Sequence, residues 1–216
     1  MTSHPGPDGP TVRARSDHWE DVHRGVAVDG VSWWQEVPTL SLGLVQGSGT
    51  SCDAAIIDVG GGWSTLVDHL VTRGYQDLTV VDLSPTAVRT VRDRLGPCGG
   101  RVRLEVGDVL SVDLGRRFGL WHDRAVFHFL LTESERDDYR AAVRRHLADR
   151  GHLVVATFGP HGPGTCSGLP VARYTPQELA AEFPGFDLVT SQSEEHVTPW
   201  GTGQEFSAVL LRRRPD

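Results

Sequence analysis

The residues best suited to chemistry are two carboxylates at the ends of neighbouring apolar runs, with a glycine turn after the first. Residues 54–59 read Ala-Ala-Ile-Ile-Asp-Val, and the chain then turns through Gly60, Gly61 and Gly62. A helical pattern opens at Leu66, Val67 and Leu70. A buried strand, a tight turn and a helix N-terminus let the backbone approach a nucleotide-like ligand. The next apolar run, residues 78–83, carries Asp82 near its end, where an acid suits the two hydroxyls of a ribose. Asp58 sits inside the turn, where it would repel a pyrophosphate and attract a cation. Thr65 takes the sixth position of the glycine motif, which dinucleotide folds fill with Gly or Ala.

Further polar groups follow later runs. In a doubly wound sheet, ligands lie at the carboxyl ends of the strands, so a fourth run over 118–123 would bring His122, Asp123 and Arg124 to the rim. His122 could take a proton there and Asp123 could orient a ligand; alternatively Asp123 and Arg124 form a structural pair. A Gly/Pro-rich loop over 159–174 holds His161, Cys166, Arg173 and Tyr174, and loops of such length commonly act as covers or binding loops. Arg173 would favour a carboxylate, which a guanidinium grips at two points. His196 and Trp200, in the 194–201 connection, reach the same crevice or only order a hairpin tip. Trp33 and Trp34 precede the first strand and act as core anchors or as a flap over the ligand.

These residues resemble the first motif and ribose-binding acid of the class I S-adenosylmethionine-dependent methyltransferases, with Asp58, Gly60 and Gly62 in the motif and Asp82 as the acid. S-adenosylmethionine carries a ribose and an ammonium but no phosphate. Gly107, Asp108 and Val109 follow the strand expected over 102–106, where this family contacts adenine. The resemblance implies cofactor contacts from Trp34, Asp58, Gly60, Gly62, Asp82, Leu83, Asp108 and Val109. Their place at the carboxyl ends of the strands and in the following loops suggests acid–base or orienting roles for His122 and Asp123, and acceptor contacts from His161, Cys166, Arg173, Tyr174 and His196. The early His/Trp element is similar to that of small thiopurine, tellurite and protein-lysine methyltransferases. A small-molecule acceptor, methylated on N, O or S, is the expectation. The alternatives are transfer to a protein lysine, a non-catalytic nucleotide-binding module and a nicotinamide-dependent reductase. Thr65 and Asp58 weigh against the last.

Positioning these groups calls for alternating strands and helices. The expected fold is α/β and Rossmann-like: a seven-stranded, mostly parallel sheet with an antiparallel edge and helices on both faces. Ser84-Pro85 supplies an N-cap and a first-turn proline, with Val88, Val91 and Leu95 on one face. Thr132 with Glu135, and Thr175 with Glu178, read as capping boxes. Two final runs, near 186–196 and 203–212, should form an antiparallel pair. Residues 1–16 contain Pro5, Pro7 and Pro10 among polar residues and read as a disordered tail before one domain over 17–216.

Composition narrows the partners. The 216 residues are 38% hydrophobic, enough for one sizeable core, and carry a net charge of −7. That acidity argues against nonspecific nucleic-acid binding, and the run Arg212-Arg213-Arg214 reads as a solvated chain end. Cys52, Cys98 and Cys166 are too widely spaced for a metal site or a disulfide framework. No apolar stretch reaches spanning length and no signal segment is evident, so a cytoplasmic monomer or homodimer is expected.

Overall fold

The computed structural model describes residues 12–215. Seven strands form one sheet: β1 (Ala55–Val59), β2 (Asp77–Asp82), β3 (Val102–Val106), β4 (Phe118–Arg124), β5 (Leu147–Phe158), β8 (Phe186–Val197) and β9 (Gly203–Arg213). A separate ribbon, β6 (Thr165–Cys166) with β7 (Leu169–Pro170), lies within the long loop. The sheet order is β3-β2-β1-β4-β5-β9-β8. The first five strands pair in parallel, and β9 runs antiparallel to both β5 and β8. The antiparallel strand thus lies one place in from the edge. This is the expected Rossmann-like architecture.

The sheet reverses direction of growth between β1 and β4, and a crevice opens at that switch point. Both faces are buried, and adjacent residues alternate between them. Ile56, Val80 and Val154 pack on one side with Leu40, Leu44 and Leu66. Ile57, Val81 and Val155 pack on the other with Trp121, Tyr139 and Val143. The helices are α2 (Thr39–Gly47), α3 (Leu66–Thr72), α4 (Pro85–Leu95), α5 (Glu133–His146) and α6 (Pro176–Ala181). Their starts follow the sequence signals. The Ser84 hydroxyl accepts from Ala87 N ahead of α4, and complete capping boxes at Thr132/Glu135 and Thr175/Glu178 open α5 and α6.

Two expectations need correction. Helix α1 (Val12–Gly25) is ordered from Val12, so the disordered reading of residues 12–16 does not hold; residues 1–11 lie outside the described part. Arg15 explains the difference, because it pairs with Asp108 and Glu135 across the cleft. The terminal arginines are not one solvated cluster: Arg213 is buried and donates to the carbonyls of Arg144 and Leu147. No helix among the described residues is long and apolar enough to cross a membrane.

Candidate active site

A cleft with about 890 Å³ of empty space lies between the carboxyl ends of the strands and helix α1. Its floor comes from the turns after β1, β2 and β3; its cover comes from Arg15, Trp19 and His23 of α1 together with Trp33. A smaller cavity of about 400 Å³ adjoins it, lined by Asp58, Gly60, Thr65, His122 and others. Trp33, Val59, Gly60 and Arg124 line both.

The glycine turn is built for close approach. Gly60 has φ +65°, where a side chain is strained, and a Cβ there would strike Val126. A Cβ on Gly62 would strike Ala87 and the Asp82 carboxylate. Asp82 accepts from Gly62 N at 3.1 Å through Oδ2 and from Ser84 N at 2.9 Å through Oδ1. Each oxygen therefore keeps a lone pair for a diol. Burial pushes the Asp82 carboxyl up in pKa, with nearby His23 opposing that rise. Asp108 anchors the third turn by accepting from Leu110 N at 2.9 Å, while its Oδ2 takes Arg15 Nη2 at 2.7 Å. Val109 and Leu110 give that end of the cleft an apolar wall.

Asp58 behaves differently from Asp82. Its Oδ1 bonds His122 Nδ1 at 2.7 Å, and its buried Oδ2 has no hydrogen-bond partner among the described residues. His122 Nε2 bonds Ser41 Oγ at 2.9 Å. With both ring nitrogens engaged and 1% exposure, His122 orients Asp58 rather than standing free as a base. Asp123 is sealed beneath the sheet end, lines neither cavity, and accepts from Tyr139 Oη at 2.5 Å and from Val126 N at 2.9 Å. Burial pushes its pKa up to about 6. An orienting role for Asp123 toward substrate is therefore corrected: it fixes the turn that carries Ala125 and Val126 to the cleft.

The expected acceptor residues separate. Cys166 reaches the large cleft, and burial pushes its thiol up to about 11. Arg173 donates to the carbonyls of Pro160 and Gly162, both at 3.2 Å, and so clips its own loop. Tyr174 is buried in the core near Phe127. The His161 amide donates to Glu205 at 2.7 Å, and His196 Nε2 bonds Ser32 O at 2.7 Å. None of these four lines either cavity. Trp34 packs beside Val31 and Trp63 without facing the cavities, and Trp33 takes the place expected for it.

Trp19, His23, Trp63, Phe129 and Arg124 also line the large cleft without having been singled out as ligand contacts from the sequence. They form an aromatic wall: Trp19 meets Phe129 at 5.1 Å and Trp33 at 6.0 Å, and His23 meets Trp63 at 4.7 Å, all edge-on. For α1 the available signal was periodicity. Ser16, Trp19, Glu20 and His23 fall at helical spacing on one face.

Residues 56–151 match the family model of a methyltransferase domain. The chain is 24% identical over 213 residues to the human EEF1A lysine methyltransferase 2, covering 90% of this chain and 83% of that one. The S-adenosylmethionine-dependent methyltransferase from Anabaena variabilis superposes with a TM-score of 0.75 at 13% identity, over 99% of both chains. The glycopeptide N-methyltransferase MtfA complexed with S-adenosyl-L-methionine gives a TM-score of 0.65 at 17% identity, over 86% of this chain and 97% of that one. Residues 56–151 thus match a methyltransferase domain, carried on the fold that these S-adenosylmethionine-dependent methyltransferases share.

Proposed function

We propose that the protein is a class I S-adenosylmethionine-dependent methyltransferase, with S-adenosylmethionine as its cofactor, and that it methylates a nucleophile on a small-molecule acceptor. Asp82 would hold the ribose hydroxyls, Asp108, Val109 and Leu110 the adenine side, and Asp58 the ammonium. When bound, the cofactor supplies a methyl group on a sulfonium centre. The protein's own contribution is alignment and exclusion of water: Trp19, Trp33, Trp63 and Phe129 wall the cleft, and the fixed 125–126 turn sets its acceptor side. His23 is the imidazole lining the larger cavity; burial lowers its pKa, and nearby Asp82 opposes that fall.

The observation that carries the small-molecule reading is the cover. Helix α1 lays an aromatic face over the cleft and narrows it to a partly covered pocket, which suits a small acceptor. The similarity to a human lysine methyltransferase favours a second reading, transfer to a protein lysine. Arg124 weighs against it, because a buried guanidinium on the cavity wall repels a lysine ammonium. Release of S-adenosylhomocysteine should be measured with a panel of small amines, thiols, phenols and acids, and with lysine-containing proteins. Turnover confined to proteins would overturn the proposal.

A further inference from the structure

We infer that the acceptor is a small thiol and that Arg124 holds its sulfur as the thiolate. The inference rests on the reading of the cleft as a methyl-transfer site for a small molecule, and adds which atom is methylated. Arg124 ends β4 and borders both cavities. Its guanidinium leans across β5 toward β9, its carbon 4.3 Å from the centre of the Phe206 ring. Cys166 packs in the same core cluster as Phe206 and Phe158, and it too reaches the large cleft. The charge is thus directed away from β1 and its glycine turn. Nη1 donates to Trp33 O at 3.1 Å, while Nε and Nη2 are buried without a partner among the described residues. Burial lowers the pKa only to about 10, so the group stays charged at neutral pH.

Among the described residues, the groups around Arg124 offer a charge but no free base. His122 has both ring nitrogens engaged, and Asp123 is sealed under Tyr139. His128 is buried against Phe158 and lines neither cavity; burial first, then Arg124, push its pKa down to about 3. His196 is tied to Ser32 O, and burial lowers its pKa. Glu194 accepts from Gln35 at 3.2 Å and lines neither cavity. Burial pushes the Cys166 thiol up to about 11, so it stays neutral. His23 stands at the nucleoside end, 4.7 Å from Trp63 and near Asp82. Asp58 lines the small cavity, where the proposed ammonium would neutralise it. Arg124 is then the charge that an acceptor meets.

That setting discriminates between nucleophiles. An alcohol or phenol needs a base before it attacks, and an amine that takes a methyl group becomes a cation beside a cation. A thiol needs neither. Its ordinary pKa is ~8.5, a neighbouring guanidinium lowers it, and the thiolate is a strong nucleophile. In the step, the thiol proton leaves to water. A lone pair of the thiolate sulfur forms the new S–C bond as the bond from the methyl carbon to the cofactor's sulfonium breaks, and that bond's electron pair stays on the cofactor's sulfur. The products are a thioether and S-adenosylhomocysteine.

The test uses thiophenol, benzyl mercaptan, methanethiol and hydrogen sulfide, with phenol and aniline as matched controls. Thiophenol ionisation is read from its ultraviolet absorbance, with S-adenosylhomocysteine saturating. Bound to wild type, thiophenol should ionise at about 10-fold higher proton concentration than in water. Arg124→Gln should abolish that difference, and Arg124→Lys should keep part of it, having the charge without the planar fork. In turnover, the best thiol should exceed phenol and aniline by about 100-fold or more in kcat/KM. Bound thiophenol ionising as it does in water would overturn the inference, as would an undiminished difference in Arg124→Gln. A preference for phenol or aniline would overturn it too, as would failure of every thiol to bind and react. If Arg124→Gln does not fold, Arg124→Lys and the wild-type comparison with phenol still decide. Methylation of amines or phenols alone would leave the small-molecule reading standing, whereas turnover confined to proteins would remove both.

Discussion

Helix α1 and the 159–174 loop both sit at the carboxyl ends of the strands, but they are fastened in opposite ways. The loop is tied into the core by backbone bonds: Ala172 N to His128 O, Tyr174 N to Phe158 O, and Gly159 N to Glu205 O. Arg173 clips two of its carbonyls, and Tyr174 is buried. Helix α1 buries only His23 fully and holds the cleft rim through side chains. Arg15 pairs with Asp108 and Glu135, Ser16 donates to Leu83 O, and Glu20 accepts from Ser84 and Thr86. A segment docked by a few polar side chains over an apolar cleft opens at lower cost than one stitched through its backbone. The Gly/Pro-rich loop has the composition of a moving cover, yet the helix is attached like one.

Removing the helix should have the largest effect. Deletion of residues 1–25 should weaken S-adenosylhomocysteine binding by about 100-fold or more by calorimetry, since two walls of the cleft go with it. Cooperative thermal unfolding of the sheet should persist, because α1 contributes almost nothing to the two main cores. Loss of that transition would mean the helix belongs to the core rather than covering it.

Trp19→Ala removes one wall and leaves the rim bonds in place. A loss of about 10-fold in affinity is expected, on the scale of an aromatic ring stacked against a base. Unchanged affinity would show that the indole only packs against Phe129.

The rim should also respond to pH. Burial opposes ionisation of Glu20, but hydrogen bonds from Ser84 and Thr86 overcome it and hold the carboxyl at about 2. A depressed acid stabilises the docked helix above its ordinary value of 4.5, and that contribution is lost as pH falls toward 2. Affinity for S-adenosylhomocysteine in wild type should therefore drop below about pH 4.5 more steeply than in Glu20→Gln, which should already be a few-fold weaker at neutral pH. Parallel pH curves for the two proteins would remove Glu20 from the account.

The loop gives the smallest effect and the sharpest contrast. Arg173→Ala should cost about 0.5–1 kcal/mol of stability, from one exposed and one part-buried hydrogen bond, and leave cofactor affinity unchanged. A large change in affinity without a change in melting temperature would restore the loop as a moving cover.

Local sequence settled a good deal. The run into Asp58, the glycines after it and Asp82 on the next strand carry their own geometry, because steric limits at Gly60 and Gly62 depend on near neighbours. The Ser84, Thr132 and Thr175 caps are likewise contained within three or four residues. Those signals fixed the α/β alternation and the nucleoside end of the cleft. They could not fix which rim residues face inward. His122 and Arg124 lie two apart on one strand, yet His122 is consumed by Asp58 and Ser41 while Arg124 Nε and Nη2 have no partner among the described residues. Arg173, which looked like the anion-binding arginine, is spent on its own loop. Trp19 and His23 reach the cleft only because Arg15 and Glu20 dock α1 on turns separated from it by scores of residues. Whether a polar side chain is free to meet a ligand depends on partners distant in sequence, and only tertiary packing brings those partners together.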